Sequence, residues 1–153
     1  MRDNRSARPF PLYVLLAVHL FLALGGLLGG IGLLADPSGA NLTFSPAMLE
    51  GSPFADFLIP GLFLLLVLGL APLAVVYGLW VRADWAWRGS LLVSLGLLAF
   101  VAVEVAVIGY WPEPPLQLVF GVVGLLLLGL TLLPTIRTYA GSVDPSYVDT
   151  QKA

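Results

Sequence analysis

A chain of 153 residues that is 59% apolar and only 10% charged has too few polar side chains to clothe a water-soluble globule, since soluble domains carry about 25% charged and 45–50% apolar residues. The length fits one domain, the mean hydropathy is +0.96, and a net charge of −2 offers no surface to a polyanion. A cytosolic enzyme, a disordered chain and a nucleic-acid binder are all disfavoured, and the absence of cysteine removes disulfides, thiolate metal sites and redox dithiols.

A bilayer core about 30 Å thick takes about 20 apolar residues in a helix, and four stretches are long enough. The first runs over 10–34, with His19 as its one strongly polar side chain. Arg2, Arg5 and Arg8 precede it, as in a signal peptide, but its apolar run exceeds the 7–15 residues of a signal h-region, so it reads as a retained helix. The glycines of its second half (Gly25, Gly26, Gly29, Gly30) form pairs four apart that let helix backbones approach closely in lipid. Gly26 and Gly30 share a face with His19 and are the expected helix-packing positions, within the bundle or, as the alternative, in a homodimer.

Residues 35–56 form a long connection with turn and cap chemistry. Asp36-Pro37-Ser38-Gly39 fits a type I turn, and Ser45-Pro46 and Ser52-Pro53 each place a capping Ser before Pro at the first helical position. A short helix is expected at 46–50, and a second start at Pro53 should run into the next span. Leu42, Phe44, Met48, Leu49, Phe54 and Phe57 are too apolar for a solvated loop and are expected to cover one end of the bundle or lie on the bilayer. Asn41-Leu42-Thr43 is an N-glycosylation pattern, read here as a chance match.

The second span, 57–81, carries no charge, and Pro60 and Pro72 should bend it. The third, 87–111, contains Glu104; Ser90, Leu97, Glu104 and Trp111 recur every seven residues and make one stripe. The fourth, 116–136, has Gln117 and Thr131 as its polar members. Residues 59–70 and 119–130 agree at six of twelve positions, Gly61/Gly121 and Gly69/Gly129 among them, so a duplicated hairpin is conceivable. The fold class is therefore all-α: a four-helix up-down membrane bundle, one domain over 1–153, with a structured extracytoplasmic loop and a tail over 137–153.

All seven basic residues fall in the N-terminus, the loop between the second and third helices, or the C-terminus. The other two connections hold Asp36, Glu50, Asp56 and Glu113. The positive-inside rule puts both termini in the cytoplasm. Tyr13, Trp80, Trp85, Trp87 and Tyr139 would form an inner aromatic belt, with Tyr110 and Trp111 at the outer surface.

The run DPSGANLTFSPAMLEGSPFADFLIPGLFLLLVLGL and the turn WVRADWAWRG resemble uncharacterised bacterial four-helix membrane proteins and, more distantly, DoxX-like small membrane proteins. The resemblance implies a multi-pass protein of a prokaryotic inner membrane; it brings no catalytic residue.

No phosphate loop or dinucleotide fingerprint is present, and one histidine cannot build a multi-histidine zinc or haem site. No catalytic residue, metal site or cofactor is expected. An ionisable residue within a membrane is costly, about 2.5–3.5 kcal/mol on insertion scales for Asp, Lys or Arg, and is a functional hypothesis by default. Glu104, with Gln117 in reach near the outer surface, heads the candidate ligand-binding set, which includes His19, Trp111, Phe54 and Phe57. The leading expectation is a non-enzymatic protein. It would bind an apolar or lipid-like small molecule near the outer leaflet, or serve as accessory subunit of a larger membrane complex. A small proton-coupled transporter or membrane enzyme using Glu104 and His19 is the alternative.

Overall fold

The computed structural model describes residues 8–110, 112 and 115–141. Among them every regular element is helical. In chain order these are α1 (Phe10–Ala35), two 3-10 turns (Ala40–Leu42 and Pro46–Leu49), α2 (Leu58–Phe63), a π-helical stretch (Leu64–Leu70), α3 (Ala71–Val81), α4 (Ala86–Ile108), α5 (Leu116–Leu132) and α6 (Pro134–Gly141). Three stretches are long and apolar enough to cross a membrane: Phe10–Ala35, Leu58–Trp80 and Ala86–Ile108. The α5–α6 pair makes a fourth if taken as one span, bent by 66°.

Each span packs on the next, and α5 returns to α1, closing a ring around one core. Leu12, Leu15, Leu22, Leu79, Leu97 and Leu127 are fully buried there, while Leu28, Leu92 and Leu125 point outward at 72%, 70% and 63% exposure. A chain with leucine both inside and outside has a surface suited to hydrocarbon rather than water.

The fourth span departs from the continuous helix expected over 116–136. It stops at Leu132, because Pro134 has no N–H and disfavours helical geometry in the residue before it; Leu133 is accordingly extended, at φ −57° and ψ 132°. The chain then folds across the end of the bundle as α6, burying Ile136, Tyr139 and Ala140. Tyr139 therefore lies in the core rather than in an aromatic belt, whereas Tyr13, Trp80 and Trp85 are exposed.

The two prolines of the second span behave differently from each other. Pro60 sits in the first turn of α2, where a helix has no acceptor for its N–H in any case. Pro72 follows the π-helical stretch, in which Ala71 N–H reaches back to the carbonyl of Leu66. Wider turns accommodate the missing donor, as π-bulges commonly do. The helix start expected at Pro53 falls instead at Leu58, whose N–H is accepted by the Asp56 carboxylate at 2.9 Å. Asp56 supplies the cap, and the Ser52 hydroxyl only turns the chain by accepting from Phe54 N–H.

The third helix ends at Ile108, short of the 111 expected, because Gly109 adopts φ +78° and ψ 178°, a region open essentially to glycine alone. Trp111 and Glu113 lie outside the described residues. The proposed duplication finds no echo in packing. Gly61 and Gly69 press on α1, whereas a Cβ at Gly121 would only touch Val101 at 3.9 Å and one at Gly129 would meet nothing within 4 Å.

At the end of the bundle opposite the 36–57 connection, three arginines lie over aromatic rings. Arg8 stands 3.7 Å from the Trp80 ring centroid, Arg82 4.4 Å from Tyr139 and Arg137 5.5 Å from Trp87. Arg8 also donates to the Trp80 carbonyl at 3.2 Å.

Candidate functional site

The 36–57 connection is built as a cover. Gly39 N–H closes the first turn on the Asp36 carbonyl, Phe44 N–H returns to Gly39, and Phe57 N–H binds the Pro37 carbonyl at 2.9 Å, which ties the two ends of the segment together. Gly39 holds φ +81°, and a side chain there would collide with Phe44 and with the Phe57 ring, each at 2.9 Å. The Asp36 carboxylate accepts from the Ser38 hydroxyl, from Ser38 N–H and from Asn41 N–H. Hydrogen bonding, chiefly from the Ser38 hydroxyl, holds Asp36 below the usual aspartate range. Asp36 is thus committed to the turn. Leu49 and Phe57 are buried against Leu33 of α1, with Leu42, Phe44 and Met48 packed around them.

Beneath this cover lies Glu104, half-buried on α4. Three adjoining cavities meet at its side chain. One of about 380 Å³ runs under the cover and is lined by Thr43, Phe44, Ser45, Phe57 and Gln117. A second, about 260 Å³ and almost wholly apolar, extends toward Phe54, Phe57 and Pro60. A third, about 370 Å³, runs down between the helices past Gly25, Gly29, Phe100 and Phe120. Phe44 and Phe57, in tilted contact at 5.7 Å between centroids, both line the first two.

No hydrogen bond or ion pair reaches the Glu104 carboxyl among the described residues. Gln117 is buried and donates through Nε2 to the Gly109 carbonyl at 3.0 Å, pinning the α4–α5 turn. Of the candidates drawn from the sequence, Glu104, Gln117, Phe54 and Phe57 come together here. Trp111 lies outside the described residues. Gly26 and Gly30 sit elsewhere, against the backbone of Leu68–Gly69 and of Leu65.

His19 belongs to a different place. It is fully buried nearer the arginine-rich end, where Nδ1–H donates to the Leu15 carbonyl at 2.9 Å and Nε2 faces the Ser90 hydroxyl at 3.4 Å. Ser90 in turn meets the Thr131 hydroxyl at 2.6 Å, and Ser94 bonds the Ser90 carbonyl at 2.7 Å. Trp87 Nε1–H donates to the Thr131 carbonyl at 2.9 Å; that carbonyl is one of the last-turn acceptors left open where α5 ends. His19, Ser90 and Thr131 therefore join α1, α4 and α5 through side chains. Among the described residues no carboxylate takes part, and none there supplies the orienting acid of a Ser-His-Asp set.

Sequence reasoning overlooked Ser90 and Thr131 as partners of His19, although both were visible as isolated polar residues in apolar helices. Phe100 and Phe120 gave no signal, since aromatic residues in a membrane helix are unremarkable. Gly25 and Gly29 were read with the packing glycines, yet Gly29 has nothing within 4 Å of a prospective Cβ. Among the described residues, no three His, Asp or Glu side chains are placed to hold a metal ion.

The fold thus defines an all-helical protein with three to four apolar stretches able to span a membrane, and with a covered, acid-centred cavity system at one end. No family model, curated protein or solved structure matches the chain.

Proposed function

We propose that the protein is a non-enzymatic, multi-pass protein of a prokaryotic inner membrane that binds an apolar, lipid-like small molecule at the outer-leaflet end of its bundle. The observation that carries the reading is the group of three adjoining cavities around Glu104, apolar in their walls and roofed by the 36–57 cover. Small-molecule sites are typically apolar clefts with a few polar groups that fix orientation; here Glu104 and Gln117 are those groups. His19 lines none of the three, and its bonds to Leu15 and Ser90 fit a structural role, which favours binding over a Glu104–His19 proton relay. Protein extracted in mild detergent and analysed by native mass spectrometry should retain a small apolar molecule. Filling the lower cavity by Gly29→Leu should release it. A wild-type chain that carries nothing and takes up no added amphiphile would overturn the reading.

The assignment of sides rests on the basic residues. Arg8, Arg82, Arg88 and Arg137 cluster at one end of the bundle, while Asp36, Glu50 and Asp56 occupy the other, so the cover faces out and both termini lie in the cytoplasm. The cysteine-free chain makes the test clean. Glu50→Cys and Asp84→Cys alter exposed side chains in the two opposed connections. An impermeant maleimide added to intact cells should label position 50 and spare 84 until the membrane is opened; the reverse pattern would invert the topology.

A further inference from the structure

We propose that the molecule held beneath the cover is a single-chain amphiphile with an ammonium head, the head seated at Glu104 beside the Phe44–Phe57 pair and the chain lying in the cavity past Gly25, Gly29 and Phe120. The inference rests on the binding role proposed above and goes further by fixing the head group and its direction.

The first reason is charge. A half-buried carboxyl loses part of its hydration, and its charged form is favoured there only where a countercharge or strong donors offset that loss. Glu104 has neither among the described residues. All four described arginines sit at the far end of the bundle, three of them over aromatic rings. The groups nearest the cover in sequence, Asp36, Glu50 and Asp56, are acidic. An anionic head would meet only like charge here, whereas an ammonium supplies the missing partner.

The second reason is the aromatic pair. Phe44 and Phe57 line the same cavity as Glu104, and aromatic faces attract cations more strongly when both are desolvated. Thr43, Ser45 and Gln117 line this cavity and neither of the other two. Polar lining is thereby concentrated at the head end, which orients a bound amphiphile.

The third reason is the shape of the remainder. From Glu104 the cavity between the helices descends past Leu64, Leu68, Phe100, Leu116 and Phe120, with Gly25 and Gly29 along one wall. Gly26 and Gly30, one residue further round α1, have no room for a Cβ, because the π-helical backbone lies 2.3 and 2.6 Å from where it would stand. The glycine run therefore serves two purposes. One pair closes the helix contact, and the other leaves room for a hydrocarbon chain.

The test is calorimetric titration of the purified full chain in dodecyl maltoside, an uncharged detergent, with octylammonium, octan-1-ol and octanoate as probes. Wild-type protein should bind octylammonium at least about tenfold more tightly than either of the others. Glu104→Gln should bring octylammonium to within about threefold of octanol and leave octanol unchanged. Gly29→Leu, whose Cβ meets no neighbour, should weaken octylammonium and octanol by a common factor with the bundle intact.

Octylammonium binding no more tightly than octanol, or a preference that survives Glu104→Gln, would overturn the head-group assignment. If both probes still bound and both were lost in Gly29→Leu, the cavity reading would stand without it. If none of the probes bound wild-type protein, both would fall. Native mass spectra of protein purified without added amine separate the two sources of this chemistry. A single-chain amino-headed lipid retained by wild type and lost from Glu104→Gln assigns the site to membrane lipid. Probe binding without such a lipid assigns it to a free amphiphilic amine.

Discussion

Gly26→Leu should disassemble the bundle, and even Gly26→Ala should weaken it. A Cβ at this position would stand 2.3 Å from the Leu68 carbonyl carbon and oxygen and 2.5 Å from Gly69 nitrogen, against an optimum of about 3.5–4.0 Å between carbon atoms. The obstacle is backbone on a rigid helix, so the side chain cannot turn aside. Overpacking a well-filled core costs about 1–3 kcal/mol. With two helices forced apart, about 3 kcal/mol or more is expected for leucine and about 2 kcal/mol for alanine. Gly30→Leu should behave similarly, because its Cβ would meet Leu65 nitrogen at 2.6 Å. Gly29→Ala is the matched control; it meets nothing and gains up to about 1 kcal/mol of helix propensity. Thermal unfolding in dodecyl maltoside, followed by circular dichroism, reads the difference. Equal melting temperatures for Gly26→Ala and Gly29→Ala would mean that α1 presents a different face to the second span.

The second large effect is expected at Ser90. Its hydroxyl stands between His19 Nε2 at 3.4 Å and the Thr131 hydroxyl at 2.6 Å, so Ser90→Ala removes the partner of two buried groups at once. Orphaning a buried polar group costs about 1–3 kcal/mol in general. Interhelical hydrogen bonds in membranes average only about 0.6 kcal/mol, with a maximum of about 1.7, because polar groups find other partners in lipid. About 1–2 kcal/mol is expected for Ser90→Ala, and less for Thr131→Val, which leaves the Ser90–His19 contact in place. Since the two residues share one bond, the double variant should cost clearly less than the two singles added together. Strict additivity in the same unfolding assay would show that Ser90 and Thr131 do not interact. No change in ligand retention is expected from either variant, because neither residue lines the cavities around Glu104.

Much of the architecture is written in composition and periodicity. Apolar stretches of membrane length, separated by turn chemistry, determine an all-helical chain, because lipid offers no hydrogen bonds to the backbone and each stretch must satisfy its own. The boundaries obey local rules as well. Gly109 ends the third helix and Pro134 ends the fourth, and both signals stand in the sequence, although apolar residues continue beyond Pro134 to Ile136. Asp56, rather than Ser52, accepts from the first N–H of the second span; both are good caps, and the Ser52 hydroxyl accepts from Phe54 N–H instead.

What the tertiary structure alone decides is neighbourhood. Glu104, Gln117, Phe54 and Phe57 are legible one by one as polar or aromatic residues in unusual places. Their meeting depends on the 36–57 cover folding back over α4, a contact between residues some fifty positions apart that no local pattern encodes. The same holds for His19, Ser90 and Thr131, which three helices bring to one point. The glycines of α1 make the distinction sharpest. Gly25, Gly26, Gly29 and Gly30 are equivalent as residue types and nearly equivalent in spacing, but a helix turns 100° per residue. Neighbouring glycines therefore face different surroundings, and only the placement of the second span makes one pair a contact and the other the wall of a cavity.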